Sequence, residues 1–299
     1  MRARTALAES VLRNGASLRG IASVRSINRE VLRARFQRSL RAWMRSHPLP
    51  GLPEDTDPLI AIVDVLWFRT HNHAPAYGCF TILLRPSISS RATLALLALF
   101  PGRDSRELWE RAFGRLPAPI RARIVAVVAD GFTGLMGLAR DWGWHFQWCH
   151  VHMKRKIAEL RGVRKLPGQT IRRRVTHLVH LFLETPDEAV ADRSRQELQH
   201  WFHHPDCPRS IPSRLSGIVR RGAFFRTYRR VPALNLPVST NSAEHIHRQI
   251  RERFSRMRGT NSVRALRVWI EVLHRQIGSV ACRGFQDTID RKTHRNSMS

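Results

Sequence analysis

The ten residues from Leu59 to Phe68, LIAIVDVLWF, decide the fold of this chain. Nine of them are apolar, and the exception is Asp64. A continuous apolar run without helical spacing is typical of a strand that is buried on both faces of a sheet. A carboxylate inside such a strand is costly unless a cation or a charged partner compensates it. The run therefore predicts a central strand with a functional acid, although Asp64 taken alone could also face solvent at a sheet edge.

The segments after this strand alternate between strand and helix patterns. We predict further strands over residues 76–84, 93–100, 124–129 and 144–149, and helices over 104–115 and 132–142. Three strands followed by helix, strand, helix and strand indicate an α/β fold with a mixed five-stranded sheet and flanking helices. The predicted division is residues 59–152 for the first part of the core, 153–235 for an all-helical insertion, 236–285 for the second part of the core and 286–299 for a flexible tail.

Residues 1–46 are basic and have a helical pattern. A short helix, a turn and a second, longer helix give the outline of a small helix-turn-helix domain, and the proline-rich residues 47–58 follow it as a linker. In this hypothesis Arg25, Arg29 and Arg33 contact DNA. An ordinary basic helical hairpin is the open alternative.

Composition excludes several classes of protein. The chain has 299 residues with 51 Lys and Arg against 23 Asp and Glu, so its formal net charge is +28. Such a charge favours a polyanionic partner, and nucleic acid is the first candidate. The longest clean apolar run, residues 92–100, is far shorter than the roughly 20 residues that cross a bilayer, so no membrane partner is expected. The four cysteines form no Cys-x-x-Cys pair and the first residues lack the apolar region of a signal peptide, so we expect a cytoplasmic protein.

Two further acids share the conspicuous setting of Asp64. Asp130 closes an apolar strand and is followed by Gly131, whereas Glu244 lies one turn into a late helix. Converging carboxylates repel one another unless a divalent cation binds them, and Mg²⁺ with substrate phosphate suits such a site. Two such ions can serve phosphoryl transfer. Each acid also has an ordinary explanation, since Asp130 could belong to a tight turn and Glu244 to a capping box with Asn241.

The order of these acids resembles the Mutator-like group of Asp-Asp-Glu transposases, whose catalytic core is ribonuclease H-like. In that group an Asp-Gly follows the fourth strand, and a Cys-x-x-His, an all-helical insertion and a Glu-bearing helix come after it. The corresponding residues here are Asp130-Gly131, Cys149 to His152, residues 153–235 and Glu244. The resemblance covers about residues 58–285, and the N-terminal region departs from the longer DNA-binding regions often seen in the group.

The resemblance implies that Asp64, Asp130 and Glu244 are the catalytic residues and bind two Mg²⁺ ions, with Mn²⁺ as a substitute. It implies double-stranded DNA as the partner, both the terminal inverted repeats of a transposon and the target DNA, and a homodimer or larger synaptic assembly. Cys149 and His152 would order the pocket or contact DNA. A zinc site at this pair would lack the further ligands that tetrahedral coordination requires.

The helix that carries Glu244 has two chemically different faces. His247, Arg248 and Arg251 follow Glu244 at helical spacing, so we predict that they bind backbone phosphates of DNA. The opposite face is apolar and is predicted to pack on the core. A charged face that serves only solubility is the alternative.

Two other functions stay open at this point. A non-catalytic DNA-binding protein, such as a repressor or a domesticated transposase remnant, would use the same basic surface and need no metal. A ribonuclease H-like nuclease that acts on RNA or on junctions would share the metal chemistry, although the helical insertion and the Cys-x-x-His favour the transposase.

Overall fold

The computed structural model describes residues 2–14, 18–24, 26–54, 56–68, 77–159, 169–256 and 263–284. The strands in these residues are β1 (Leu59–Phe68), β2 (Tyr77–Pro86), β3 (Arg91–Pro101), β4 (Ile124–Ala129), β5 (His145–Trp148) and β6 (Ser279–Ala281). Across the described residues they form one six-stranded sheet in the order β5-β4-β1-β2-β3-β6.

The helices of the described residues fall into four groups along the chain. Helices α1 (Arg2–Asn14), α2 (Leu18–Val24) and α3 (Arg29–Ser46) precede the sheet, and α4 (Arg106–Phe113), α5 (Ala118–Ala122) and α6 (Thr133–Asp141) lie between its strands. α7 (His150–Ala158) begins three residues before the predicted helical insertion and continues into it. The rest of that region contains α8 (Gln169–Glu184), α9 (Glu188–His203), α10 (Ser210–Arg221) and α11 (Thr227–Arg230), with 3₁₀ turns over Gly222–Arg226 and Pro232–Leu234. The last two helices are α12 (Asn241–Arg256) and α13 (Val263–Ile277).

The sheet is mixed, as the sequence predicted. β1 to β3 pair antiparallel in succession, and β4 and β5 continue the sheet parallel to β1. The predicted α/β class is therefore confirmed. The prediction of five strands was wrong for the described residues, because β6 adds a sixth strand that pairs antiparallel with the start of β3. A strand of three residues is too short to show a periodic pattern in the sequence.

Alternate side chains of β1 pack into two separate cores on the two faces of the sheet. Leu59, Ala61 and Val63 lie in a core with residues of α4, α6 and α8. Ile60 and Ile62 lie in a second core with residues of α12 and α13. Burial on both faces explains why β1 is apolar almost throughout.

The N-terminal helices share a core with the last long helix of the chain. Phe36, Leu40 and Trp43 of α3 are buried together with Val272 of α13. The guanidinium of Arg275 on α13 also donates to the carbonyl oxygens of residues 44 and 47, at 3.0 and 2.8 Å. Residues 1–46 thus contain helices that pack on the body of the protein, and the sequence pattern, which is local, did not predict this packing.

The predicted linker over residues 47–58 is also attached to the sheet. Arg123, immediately before β4, donates to the carbonyl oxygen of Pro53 at 2.7 Å and to that of Asp57 at 2.9 Å. Its backbone carbonyl accepts from the amide of Leu59 at the start of β1. These bonds fix where the chain enters the central strand. Among the described helices, none combines the length and apolar character that a membrane crossing requires.

Leu40→Ala tests whether the N-terminal helices are an integral part of the fold. Leu40 is 1% exposed, and truncation of a buried leucine costs about 2–5 kcal/mol of unfolding free energy. We expect one thermal transition, shifted to lower temperature. Val31→Ala on the same helix is the control, because Val31 is 47% exposed and its truncation should change stability by less than about 0.5 kcal/mol. A second transition that alone responds to Leu40→Ala would contradict the shared core.

Candidate active site

The register of the sheet aligns four chemically active side chains across neighbouring strands. Asp64 on β1 is paired with Thr81 on β2. Ile62 is paired with Val128 on the parallel strand β4, and two residues further along the two strands lie Asp64 and Asp130. Ala129 is paired with Trp148 on β5, so Asp130 lies level with Cys149. The carboxyl ends of parallel strands are where open α/β sheets bind ligands.

Gly131 allows the chain to turn sharply directly after Asp130. Its φ is +99°, in the left-handed region that favours glycine. The indole of Trp148 lies so close that a Cβ at this position would be 1.1 Å from the indole Nε1. The turn also lets the Phe132 amide donate to Asp130 Oδ1 at 3.3 Å, which orients the carboxylate.

Asp64, Asp130 and His152 come together at this edge. Each offers one ligand atom, and the three atoms lie within 4.8 Å of one another. Burial is the largest cause that raises the pKa of Asp130, the charge of Asp64 raises it further, and the charges of His152 and Lys156 oppose the rise. Two carboxylates that repel each other in a partly buried place favour a cation between them.

His152 and Cys149 form an interacting pair beside the two aspartates. A side-chain hydrogen bond with Cys149 is the largest cause that raises the pKa of His152 to about 9, with the charges of Asp64 and Asp130 adding to it. Burial raises the pKa of the Cys149 thiol, but the hydrogen bond and charge of His152 outweigh it, so the net shift is downward. The amide of Thr240 also donates to Cys149 Sγ at 3.3 Å, which attaches the start of α12 to this pair.

Glu244 lies near His152, which links it to Asp64 and Asp130, and its carboxylate is also bound by Arg155. Its Oε1 lies 3.7 Å from His152 Nε2. The guanidinium of Arg155 donates to both carboxylate oxygens, at 3.0 and 2.6 Å. Glu244 thus lies at the same edge as the two aspartates, with its carboxylate directed to basic side chains. The alternative of a capping box is not needed to explain Glu244.

His247 is not on an exposed basic face, and this part of the predicted helix wheel was wrong. Its side chain is 3% exposed and contacts side chains of two adjacent strands, with Nδ1 3.3 Å from Asp64 Oδ2 and Nε2 2.9 Å from Thr81 Oγ1. α12 packs across β1 and β2, so the third residue after Glu244 turns towards the sheet. A direct contact with DNA phosphates is excluded by this burial, and His247 instead orients Asp64. The amide of Val65 gives Asp64 a further hydrogen bond at 2.8 Å.

The other predicted DNA contacts have different outcomes. Arg248 and Arg251 are exposed on α12, and Arg33 is exposed on α3, as a contact with a partner requires. Arg29 lies in α3, but its side chain is outside the described part, and Arg25 lies outside the described residues altogether.

Asp104 is an acid near the site that the sequence did not single out. Burial raises its pKa to about 7, and the charges of Asp130 and Asp64 contribute to the rise. Its Oδ1 is buried without a hydrogen-bond partner in the described residues. Asp104 stands just before α4, where an acid is usually explained by the helix dipole, so no local signal distinguished it.

The donor set of this edge suits a divalent cation with oxygen ligands. Two carboxylates converge, and the pKa values of both Asp130 and Asp104 are raised, so the edge has an excess of mutually repelling carboxylates that a cation would relieve. Comparison with models of protein families gave no match, and comparison with curated proteins gave no similar sequence.

Gly131→Ala should destabilise the protein strongly, because the new Cβ would overlap the Trp148 ring. Gly143→Ala is the matched control, since Gly143 also has a positive φ, +71°, but nothing within 4 Å of its added Cβ. Left-handed strain alone costs about 1 kcal/mol, and the clash should bring the destabilisation at Gly131 to about 3 kcal/mol or more. Chemical denaturation measures both effects, and equal destabilisation by the two variants would contradict the close packing of Trp148 on Gly131.

Asp104→Asn should change how stability depends on pH. The folded pKa of about 7 is above the ordinary value of 3.8, so stability from this group is present at low pH and disappears as pH rises through about 7. Removing the ionisable group should therefore raise the melting temperature, relative to the unchanged protein, more at pH about 8.5 than at pH about 5. Between these two pH values, the gain in unfolding free energy from Asp104→Asn should grow by about 1–2 kcal/mol, a figure already reduced because Asp104 is partly exposed. The measurement uses buffer with a chelator, and parallel pH curves would contradict a raised pKa.

Proposed function

We propose that this protein is a DNA transposase that cleaves transposon ends and joins them to target DNA by metal-dependent phosphoryl transfer. The observation that carries the proposal is the meeting of Asp64 within β1, Asp130 directly after the parallel strand β4, and His152, whose ligand atoms lie within 4.8 Å of one another, with Glu244 3.7 Å from His152. The formal net charge of +28 supports a DNA substrate.

The strand order supports the ribonuclease H-like core that the resemblance implies. An antiparallel meander of β1 to β3 continues into β4 and β5, which run parallel to β1. Along the chain, α4 and α5 lie between β3 and β4, and α6 lies between β4 and β5. The helices α7 to α11 come before the Glu-bearing α12. Asp64 on β1, Asp130 directly after β4 and Glu244 on α12 thus lie near one another at one edge of the sheet, which supports the resemblance.

Asp64 and Asp130 are the residues that would hold Mg²⁺ or Mn²⁺, and Glu244 is the third candidate ligand. Bound divalent ions would activate the attacking oxygen and stabilise the leaving one. The protein's own residues fix the ligands: His247 and the Val65 amide orient Asp64, and the Phe132 amide orients Asp130. Such supporting contacts are what hold metal ligands in a productive orientation.

Basic side chains around the site would bind the DNA backbone. Arg155 is 59% exposed and already binds a carboxylate with both ends of its guanidinium, and a phosphate is bound in the same manner. Exchange of Glu244 for a DNA phosphate at Arg155 would free the Glu244 carboxylate to act as the third candidate ligand. Arg248 and Arg251 are exposed on α12, the helix that carries Glu244, and the exposed Arg33 on α3 is a further proposed DNA contact. A homodimer or larger assembly at paired transposon ends, associated with the nucleoid, belongs to this proposal.

A non-catalytic DNA-binding protein is the second candidate function. The observation that favours it is the position of Glu244, whose carboxylate is bound by Arg155 and lies near His152 instead of joining Asp64 and Asp130. In that case the basic surface would bind DNA and the acids would be balanced by the basic side chains alone.

Mn²⁺ binding and DNA nicking decide between the two candidates. The transposase should bind Mn²⁺, detected by electron paramagnetic resonance, and nick DNA only when a divalent ion is present. Asp64→Asn and Asp130→Asn should each lower Mn²⁺ affinity at least tenfold and abolish nicking, because each removes a ligand charge. Glu244→Gln should abolish nicking and leave DNA binding nearly intact.

Asp192→Asn is the control for this experiment, because Asp192 is an exposed carboxylate on α9 and its removal changes the net charge equally. The control should bind Mn²⁺ and nick DNA as the unchanged protein does. DNA binding without metal-dependent nicking would favour the second candidate, and nicking that survives Asp64→Asn would exclude the proposed site.

A further inference from the structure

A cavity of about 210 Å³ lies beside the candidate active site, between the sheet edge and the helical region. Asp130 and Cys149 form part of its wall and belong also to the site. Trp148 and Phe225, whose rings stack at 4.7 Å, contribute aromatic lining. The cavity is therefore adjacent to the proposed chemistry, yet much of its lining comes from α10, which the proposed mechanism does not use.

The face of α10 that lines the cavity has mostly small side chains and therefore does not fill it. Ser213, Ser216 and Gly217 line the cavity at helical spacing, and Arg220 follows them on the same face. A Cβ added at Gly217 would lie 3.6 Å from the Trp148 ring, an ordinary contact distance. The small side chains account for the volume of the cavity, and the arginine gives its lining a positive charge.

Three cations around this cavity make no close ion pair in the part of the chain that the structure describes, although the charge of Lys156 does act on Asp130. Lys156, Arg220 and Arg221 line it, and within the described residues none of the three makes an ion pair. Other basic residues of the same helical region are paired: Arg174 with Glu197 and Arg226 with Glu188.

An excess of cations in a concave place is what binds an anion. Arg214 also lines the cavity but is already paired with Glu159. Asp130 is the one carboxylate among the described lining residues, and the three cations without an ion pair there outnumber it.

We propose that this cavity binds a backbone phosphate of the DNA strand that lies in the candidate active site, through Lys156, Arg220 and Arg221. That the ligand is a DNA strand rests on the proposed function. That the cavity binds a phosphate rests on its shape and on its charges. Arginine binds phosphate oxygens with its planar fork, and lysine binds them as a point charge. The contact would fix the strand relative to Asp130 and thereby select which phosphodiester is presented to the acids.

The test measures the binding of a labelled single-stranded oligonucleotide and a labelled duplex in buffer with a chelator, where no cleavage occurs. The combined variant Lys156→Gln, Arg220→Gln and Arg221→Gln should bind at least tenfold more weakly at about 0.15 M salt. Its salt dependence should be shallower by about one charge for each phosphate that is no longer bound. The charge-matched control carries Arg193→Gln, Arg209→Gln and Arg264→Gln, three exposed arginines outside the cavity lining and outside residues 1–46, and its affinity should fall clearly less.

Ser216→Leu fills the cavity without changing any charge and gives an independent test. It should weaken oligonucleotide binding severalfold, with thermal unfolding confirming that the variant is folded. Equal affinities of the pocket triple variant and the control triple variant, or full binding by Ser216→Leu, would overturn the proposal.

The source of the phosphate is tested with a nucleoside monophosphate and with inorganic phosphate as competitors. Weak competition by both, at millimolar concentrations, supports a DNA strand as the ligand. Competition by the mononucleotide as strong as that by the oligonucleotide would assign the cavity to a free nucleotide and overturn the DNA contact. Pocket-dependent binding in a protein that never nicks DNA would refute the proposed transposase while leaving a phosphate site in place.

Discussion

The repulsion between two carboxylates in neighbouring parallel strands is the constraint on which the site depends. The pairing of Ile62 with Val128 sets the register of β1 and β4, and that register brings Asp64 level with Asp130. Strand pairing of this kind is fixed by burial on both faces, so the two acids cannot move apart without disrupting the core packing. Compensation must therefore come from surrounding positive charge, from hydrogen bonds or from a bound cation.

The surrounding helices supply that compensation in different ways. α12 crosses β1 and β2 and brings His247 to Asp64, while α7 brings His152 and Lys156 near Asp130. Arg155 from the same α7 binds Glu244. The protein thus holds its acids in balance with basic groups, and one of them, Arg155, is exposed enough to exchange a carboxylate for a phosphate. This balance explains how one surface can serve both the proposed metal chemistry and the proposed binding of DNA.

Sequence patterns predicted the parts of the site that lie on strands and failed for parts that depend on helix orientation. Asp64 and Asp130 were recognisable because a charge interrupts or ends an apolar strand, and strand periodicity is local. His247 was assigned to the wrong face of its helix, because the spacing from Glu244 says nothing about how α12 is rotated against the sheet. Asp104 was missed because it stands just before α4, where an acid is ordinarily explained by its favourable interaction with the helix dipole. Which residues bind a metal or DNA stays a prediction.

By itself the sequence determined the α/β class, the central strand β1 and the order in which the acids occur, because apolar periodicity and strand-breaking charges are properties of neighbouring residues. Only the tertiary structure decided that α1 to α3 pack on α13, that β6 extends the sheet and that a basic cavity opens between α7 and α10. These features join residues far apart in the chain. Their energies come from surfaces that meet only after folding, so no local pattern encodes them.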